Sequence, residues 1–413
     1  MRRRLTLLGA LAATLAAGLS TYARPAAAAA PAPRWQLATF SAPTYFSSEK
    51  NTTCGKPLGE GVGGCDSYTT LVTNVGAAAT TGPVEFSETL PAGLTLTPGP
   101  SGEASVKFEG TGEEQIFQCA QPEEEGHIGL HITCDSGKTH LPVVFCTIAP
   151  SAGESTTVSC EYTQTIAPYS SFEVTSRFTV SPSLQEGTTL DSTASVSGGG
   201  AASTPAATAT LLRAESEIPF GVADFAFSVV NPAGEADRSA ADHPAAVIAG
   251  LTATSLGSQS YRESAAPVQI PKDVVVDLPL GLVGDPQATQ QCPEAELVAK
   301  TNESDCPSAS EVGLVDIYEH GAFVASSTRA ATTPVYNMVP DAGYPAEFGF
   351  AHLGKPVFMH ASVVPSSEGY ELRVIVPGIP GATGAQGAFL TFFGDPGSHN
   401  GSGGTTPFLS NPA

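Results

Sequence analysis

Charged residues are scarce in this chain: they make up 14% of its 413 residues, where about 25% is usual for a soluble domain. Tryptophan occurs once and methionine three times. Surface helices favour lysine, glutamate and leucine, so this shortage of charge disfavours a mainly helical protein. Basic residues number 18 against 40 acidic ones. The net charge of −22 argues against nucleic acids and anionic membranes as electrostatic partners.

Sequence motifs for catalysis and cofactor binding are also missing. The chain has no Gly-x-Ser-x-Gly, no His-Glu-x-x-His, no phosphate-binding loop and no Cys-x-x-Cys, which argues against the enzymes and zinc sites that use them. We therefore predict no catalytic residue, no metal site, no cofactor and no enzymatic activity. A carboxylate pair of a secreted hydrolase stays open as an alternative, since 40 acidic residues offer many pairs.

Three short patterns come closest to reactive sites. Ser398-His399 pairs a nucleophile with a base, but the side chains of adjacent residues diverge, so we predict a polar surface loop. In Asp242-His243-Pro244 we expect His243 to bond to the backbone, and we expect Glu123-Glu124-Glu125 to be solvated rather than to bind calcium. Trp35 is predicted to be a packing anchor rather than a platform for a sugar.

The N-terminus has the three parts of a secretory signal peptide, which we assign to residues 1–30. Arg2, Arg3 and Arg4 precede an apolar stretch from Leu5 to Leu19, and five alanines end at Ala30. That stretch of about 15 residues is short for a membrane-spanning helix, which needs about 20. Cleavage is expected after Ala28 or Ala29. The arginines also fit a twin-arginine signal, and both export routes place the protein outside the cell or on its surface.

Signal cleavage makes the chain more acidic. It removes Arg2, Arg3, Arg4 and Arg24, so 14 of the 18 basic residues stay against 40 acidic ones, a net charge of −26. The mature chain has no hydrophobic stretch that would anchor it in a membrane. The sequence fits a protein that is secreted free and also a piece of a longer protein.

Turn-forming residues are abundant, with 43 glycines and 34 prolines, as expected for many short strands joined by turns. The segment Leu-Pro-x-Gly-Leu occurs at Leu90–Leu94 and again at Leu278–Leu282, each time after a run of β-formers. Proline cannot extend a central ladder, and the glycine can take a positive φ and reverse the chain. The best amphipathic strand is Phe172–Val180, which separates Phe172, Val174, Phe178 and Val180 from polar residues.

These patterns predict an all-β protein of two Ig-like or β-sandwich domains in tandem. We place the first domain at residues 31–213, the second at 214–400 and a Gly/Ser/Pro-rich tail at 401–413. The low-complexity stretch Ser197–Pro205 fits a linker and also a turn before a last strand, Ala207–Leu212. The second domain begins with a half-buried strand in Phe220–Val230, followed by further strands up to Phe393.

Eight cysteines in an exported chain indicate disulfide bonds rather than zinc ligands. Cys292 and Cys306 stand alone in the C-terminal half, so we pair them. Between them Pro293–Lys300 is predicted to form a short helix that the bond staples to its return loop. Pairing of nearest neighbours adds Cys54–Cys65, Cys119–Cys134 and Cys146–Cys160, although the last four can also cross-pair.

Each half contains segments that resemble a different group of exported bacterial proteins. Tyr68–Gly76, followed by Gly82-Pro83-Val84 and Leu90–Leu94, resembles the conserved-repeat surface domain (the class of domain of unknown function 11), and Ile166-Ala167-Pro168 fits the entry to its penultimate strand. That resemblance implies an Ig-like sandwich with a structural or adhesive role, although the insert Cys119–Cys160 departs from the short form. Asp242-His243-Pro244, Asp277–Ala288, Pro334–Asn337 and Phe348–Phe350 resemble a region of large secreted proteins of high-GC soil bacteria, with no assigned activity.

The sequence therefore predicts a non-enzymatic secreted or cell-surface protein with a structural or adhesive role. It names no partner, and a surface protein or a glycan is the partner class that such a module would take. The alternatives are a carbohydrate- or protein-binding module that uses the loops at one end of a sandwich, and a secreted hydrolase of unrecognised type.

Overall fold

The computed structural model describes residues 30–47, 65–97, 106–110, 117–120, 130–136, 142–151, 154–212, 218–239, 241–257, 265–297, 304–319, 322–324, 332–379, 385–404 and 406–411. Strands dominate these residues, and the all-β prediction is confirmed. The predicted signal peptide lies outside them, except for Ala30. Every ladder among them joins strands on the same side of residues 213–217, so we describe an N-terminal and a C-terminal unit.

The N-terminal unit is a sandwich of two antiparallel sheets. The smaller sheet has the order β1-β2-β10-β4, with β5 also on β10, and the larger has the order β12-β11-β3-β9-β8-β7-β6. The strands are β1 (Trp35–Ala42), β2 (Asp66–Asn74), β3 (Val84–Leu90), β4 (Leu94–Leu96), β5 (Val106–Gly110), β6 (Phe117–Ala120), β7 (Leu130–Ser136), β8 (Pro142–Pro150), β9 (Thr156–Tyr162), β10 (Ser171–Val180), β11 (Thr189–Gly198) and β12 (Ala201–Leu211).

Two hydrophobic clusters fill the space between these sheets. Trp35 packs with Val84, Val158 and Phe172 in one cluster, and its indole N–H donates to the carbonyl oxygen of Gly198 at 3.2 Å. Trp35 is therefore a packing anchor, as its position predicts. The second cluster surrounds the three rings of Phe46, Tyr68 and Phe178, with centroids 5.2–5.3 Å apart.

Both Leu-Pro-x-Gly-Leu segments turn the chain as predicted. β3 ends at Leu90, directly before the first proline, and Gly93 has a φ of 88°. In the second copy Gly281 has a φ of 81°, and the preceding strand ends at Asp277. A side chain at either glycine would be strained, because L-residues rarely adopt this region.

The stretch Ser197–Pro205 forms the hairpin between β11 and β12, so it is a turn and not a linker. Gly198, Gly199 and Gly200 all have positive φ and make this reversal possible.

The C-terminal unit is built on one ten-stranded antiparallel sheet that curls into a half-barrel. Its order is β13-β14-β25-β19-β21-β22-β23-β24-β17, with β20 also on β19, and two small sheets pair β15 with β16 and β18 with β26. The strands are β13 (Val222–Val230), β14 (Ala246–Ala253), β15 (Ser255–Gly257), β16 (Ala265–Pro267), β17 (Val274–Asp277), β18 (Val283–Gly284), β19 (Glu311–Glu319), β20 (Ala322–Val324), β21 (Thr332–Met338), β22 (Ala346–His352), β23 (Lys355–Ser366), β24 (Gly369–Val376), β25 (Ala385–Phe393) and β26 (Leu409–Ser410).

The concave face of the half-barrel carries its own core. Val315, Val335, Phe350 and Met359 project from neighbouring strands, and Phe408 covers them from the C-terminal segment. Val268–Leu278 has the composition of one long strand, but in the structure only β17 within it pairs with β24. Pro271, which lacks a backbone N–H, precedes that pairing.

The predicted stapled helix is α1 (Glu294–Leu297). The helix begins directly after Pro293. In the return segment, the backbone N–H of Asp305 donates to the carbonyl oxygen of Glu296 in α1 at 2.8 Å. Leu297 is fully buried in a cluster with Met338. Among the described residues no helix is long and apolar enough to span a membrane.

Candidate functional site

Two predicted disulfide bonds are present among the described residues. Cys146 and Cys160 face each other on β8 and β9 with Cα atoms 4.0 Å apart, and Cys292 and Cys306 have Cα atoms 5.4 Å apart. Cys65 is also disulfide-bonded, whereas Cys54 lies outside the described residues. The pairing of that bond therefore stays a prediction.

The fourth predicted pair is Cys119–Cys134, whose backbone alone is described. The two residues are direct partners in the ladder between β6 and β7. This register is compatible with the predicted bond, which itself stays a prediction.

The short patterns from the sequence lie in separate places. Ser398 donates its hydroxyl to the carbonyl oxygen of Asp395 at 2.7 Å, and the His399 ring packs on Phe393 with centroids 4.5 Å apart. Ser398 is exposed, as predicted for a polar surface loop, whereas His399 is half-buried with its ring in an aromatic contact. The His243 Nδ1 lies 3.0 Å from the carbonyl oxygen of Leu409, the backbone bond expected for it. Glu123-Glu124-Glu125 lies outside the described residues.

A buried acid–histidine pair, which the sequence analysis missed, lies on the concave side of the half-barrel. The Nε2 of His352 is 2.5 Å from Oε1 of Glu319, and both side chains are 3% exposed. The other ring nitrogen, Nδ1, is buried and has no hydrogen-bond partner among the described residues. His352 is the last residue of β22 and Glu319 is the last residue of β19. Since these strands are not adjacent in the sheet, no local sequence motif predicts the pair.

A second acid–histidine pair joins β22 to β23. The Nδ1 of His360 lies 3.1 Å from Oε2 of Glu347, with 12% and 5% of the side chains exposed. The Tyr344 ring stacks on His360 with centroids 4.4 Å apart, and the backbone N–H of Asp341 donates to the same Glu347 oxygen. This pair could have been found, because a turn at Leu353-Gly354 sets Glu347 opposite His360.

The Glu319 carboxylate could orient His352 for proton transfer, the arrangement of a general base, whereas Nδ1 of His360 makes no hydrogen bond among the described residues. Each pair is closed off, however: one lies inside the half-barrel and the other beneath a tyrosine ring. Among the described residues no group of three or more His, Cys, Asp or Glu side chains could hold a metal ion.

Two carboxyl groups have a strongly raised pKa, the property expected of a hydrolase acid. Burial raises the pKa of Glu88 to about 7, although Ser176 and Ser192 donate hydrogen bonds to its carboxylate. Burial likewise raises the pKa of Glu311 to about 7. Glu88 lies inside the N-terminal sandwich and Glu311 begins β19 of the C-terminal unit, so the two do not form a pair.

A cavity of about 120 Å³ opens at one end of the N-terminal sandwich. Its lining comprises Tyr162, Thr165, Ile166, Ala167, Ser170, Ser171 and Phe172. Among the described residues no carboxylate, histidine or cysteine lines this cavity, and its lining is a mixture of polar and apolar side chains.

The two units contact each other through side chains of both, and we call this contact the inter-unit interface. Phe40 of β1 packs on Tyr318 and Phe389 of the C-terminal unit, with ring centroids 5.4 and 5.1 Å apart. Beside it, Tyr169 packs on Phe393 at 5.5 Å. Burial raises the pKa of Tyr169 to about 12, so the hydroxyl stays neutral and its bond to the Ala245 carbonyl oxygen at 3.4 Å involves no charge.

The inter-unit interface also buries polar side chains. Glu173 and Thr175 of β10 are each 3% exposed, and the Thr175 hydroxyl donates to the Glu173 carboxylate at 2.6 Å. Across the contact, the Ser171 hydroxyl donates to Oδ2 of Asp316 at 3.5 Å. The polar face of β10, which amphipathic alternation alone would leave in water, therefore lies against the C-terminal unit.

Comparisons with known proteins give no family for this chain. No protein-family model matches it, and no curated protein matches it. Among solved structures it is similar to AvmM, which catalyses macrocyclization in alchivemycin A biosynthesis, at 8% identity and a TM-score of 0.22, over 46% of this chain and 100% of that one.

A collagen adhesin (CNA) from S. aureus is similar at 10% identity and a TM-score of 0.14, over 86% of this chain and 79% of that one. At such TM-scores neither likeness bears on function.

Proposed function

We propose that this protein is a non-enzymatic exported module with a structural or adhesive role, in which two β units form one body. The inter-unit interface is the observation that carries this proposal. It buries the aromatic cluster of Phe40, Tyr318 and Phe389 together with the polar face of β10. A surface module that transmits load or presents a binding face needs its parts to keep a fixed relation, and a buried interface of this kind supplies it.

The cysteines support export. Cys146–Cys160 and Cys292–Cys306 are bonded, and no described cysteine is free. Disulfide bonds of this kind form and persist in oxidising compartments outside the cytosol. The resemblance of Tyr68–Leu94 to the conserved-repeat surface domain points to the same location.

The environment of the two acid–histidine pairs supports a non-catalytic role. The four side chains of Glu319, His352, Glu347 and His360 are 3–12% exposed, and each pair joins two strands of the half-barrel. In this environment a pair acts as an internal tie between strands.

Expression of the whole chain in a secreting bacterial host tests the proposal. We expect protein in the medium or on the cell surface, with an N-terminus at Ala29 or Ala30 and no thiol that reacts before reduction. Beads coated with the protein should adhere to a surface protein or glycan, or else the protein should add to the integrity of the cell surface. In a panel of glycoside, ester and peptide substrates the protein should turn over none. Retention in the cytosol with free thiols, or turnover that is lost in Glu347→Gln, would overturn the proposal.

An exposed aromatic residue gives a reason to test glycan binding. Tyr370 is 73% exposed at the start of β24, and Val363, 57% exposed, lies on the same face of the β23–β24 hairpin. Exposed aromatic rings with an apolar neighbour can stack on ligands. Binding to a glycan array that is lost in Tyr370→Ala and kept in Phe145→Ala, another exposed aromatic, would assign a binding role to this hairpin.

A further inference from the structure

The first strand of the half-barrel, β13, is an edge strand with an open side. Among the described residues its ladder partner is β14, and on the other side only its last residues are covered, by Ala236 and Asp237. The segment Val222–Ser228 therefore presents unpaired backbone groups. Natural edge strands are usually protected by charge, proline or a cover, since an open edge pairs with another strand.

The direction of the backbone groups on β13 can be fixed. The N–H of Ala245 donates to the carbonyl oxygen of Val230 on the β14 side, and the N–H of Asp237 donates to that of Val229 on the other side. In a strand, the backbone N–H and C=O groups of consecutive residues point alternately to the two sides. The N–H and C=O groups of Phe225 and Phe227 therefore point out of the open edge.

The side chains along this edge are apolar. Phe220 is 46%, Val222 65% and Phe225 52% exposed, and Asp224 is the one charged residue in β13. The sequence predicted a half-buried strand here with Phe225 on its apolar face. The structure leaves that side chain half in water, since among the described residues β13 is the edge of the sheet. Large exposed apolar groups of this kind mark interaction sites.

We propose that this edge binds a second copy of the chain, by antiparallel pairing of β13 with β13 of the partner around a two-fold axis at Ala226. In this register Phe225 pairs with Phe227 of the partner subunit, twice by symmetry, and the outward-pointing backbone groups of both residues are satisfied. The ten-stranded sheet continues into a sheet of twice that width. Paired aromatic residues directly across two strands stabilise such a contact.

The charge along β13 permits a second copy at this place. The chain has a net charge of −22, which makes two copies repel each other, and this repulsion is weakest where the surfaces that meet carry little charge. In the proposed register Asp224 lies opposite Ser228 of the partner subunit, not opposite its own symmetry mate. The two-fold pairing thus avoids contact between like charges.

The mass of the mature chain in solution, measured by light scattering after gel filtration, tests the proposal. We expect a dimer that strengthens as salt rises, because salt screens the net charge. Phe225→Lys should shift the protein to monomer while its far-UV circular dichroism stays that of the wild type. The control Phe145→Lys places the same change at another exposed phenylalanine and should stay dimeric.

A cysteine variant tests the register. Directly opposed residues in a non-hydrogen-bonded pair have Cα atoms about 4.5 Å apart, within the range of a disulfide. Ala226→Cys should therefore form a covalent dimer on mild oxidation, and Val275→Cys on the opposite edge strand should not. A wild-type monomer, equal cross-linking of the two variants, or a monomer that binds a peptide copy of β13 without self-association would each overturn the proposal.

Discussion

Thr44 and Ser255 form two reciprocal hydrogen bonds across the inter-unit interface. The backbone N–H of Thr44 donates to Oγ of Ser255 at 3.0 Å, and the backbone N–H of Ser255 donates to Oγ1 of Thr44 at 2.9 Å. The two hydroxyl oxygens are also 3.0 Å apart. Residues 211 positions apart in the chain thus satisfy each other's polar groups where the two units meet.

Thr44→Val is expected to destabilise the protein, because it removes the acceptor of the buried Ser255 N–H while keeping the shape of the side chain. An unsatisfied buried donor costs about 1–3 kcal/mol. Denaturant unfolding followed by fluorescence measures the change. Thr97→Val, which alters an exposed hydroxyl, should change the free energy of unfolding by less than about 0.5 kcal/mol. Equal effects of the two changes would show that the reciprocal bonds contribute nothing.

The predicted amphipathic strand Phe172–Val180 shows what a sequence can and cannot indicate here. Alternation identified its apolar face, and Phe172, Val174, Phe178 and Val180 do lie in the core of the sandwich. Glu173 and Thr175 have the residue types of a solvated face, yet each is 3% exposed. Their burial depends on a second unit whose docking position leaves no periodic signal in either half of the chain.

The buried Glu88 should make stability fall as the pH rises. Its pKa is raised from an ordinary value of 4.5 to about 7 in the folded protein, so between these values the folded state binds more protons than the unfolded state. The free energy of unfolding then decreases with pH by up to about 1.4 kcal/mol per pH unit across that window. Its contribution is fully present below pH 4.5 and is lost as the pH rises through about 7.

Glu88→Gln removes this dependence. We expect the variant to gain stability relative to the wild type between pH 4.5 and pH 8, as measured by urea unfolding at several pH values. Glu85→Gln changes an exposed carboxylate on the same strand and should follow the wild-type curve. If Glu88→Gln lost stability relative to the wild type as the pH rose, burial would not be the dominant effect on this group.

The contact between Glu319 and His352 should stabilise the folded protein. Replacing His352 with leucine leaves the buried Glu319 side chain without its hydrogen-bond partner, which costs about 1–3 kcal/mol. The double change Glu319→Leu with His352→Leu removes both polar groups and should recover most of that loss. A thermodynamic cycle over the four proteins measures the coupling. If the two single changes had additive effects on the free energy of unfolding, the two side chains would not be coupled, which would contradict a stabilising contact between them.

The bond between Cys292 and Cys306 closes a loop with a sequence separation of 14 residues. Replacing both cysteines with serine frees that loop in the unfolded chain and should lower the free energy of unfolding by about 3 kcal/mol. The loss should be seen without reductant. Dithiothreitol should abolish the difference in stability between the wild type and the double variant, because it reduces this bond in the wild type. A difference seen only under fully reducing conditions would contradict the assignment.

Local chemistry could be predicted more fully than contacts between distant strands. The spacing of cysteines identified the staple around α1, and proline and glycine marked the turns at Leu90–Leu94 and Leu278–Leu282. The acid–histidine pairs depend on which strands curl together: Glu319 and His352 are 33 residues apart and meet only because the sheet bends into a half-barrel. Such curvature is a property of the whole sheet, to which every strand contributes a little twist.

Differential scanning calorimetry of the mature chain tests most directly whether the two units form one body. We predict a single unfolding transition for the wild type. Phe40→Ala removes an aromatic ring from the inter-unit interface and should separate that transition into two. Phe46→Ala, in the core of the N-terminal unit alone, should lower the melting temperature without decoupling the units. Two independent transitions in the wild type, each reproduced by residues 31–212 or 218–411 alone, would contradict the account.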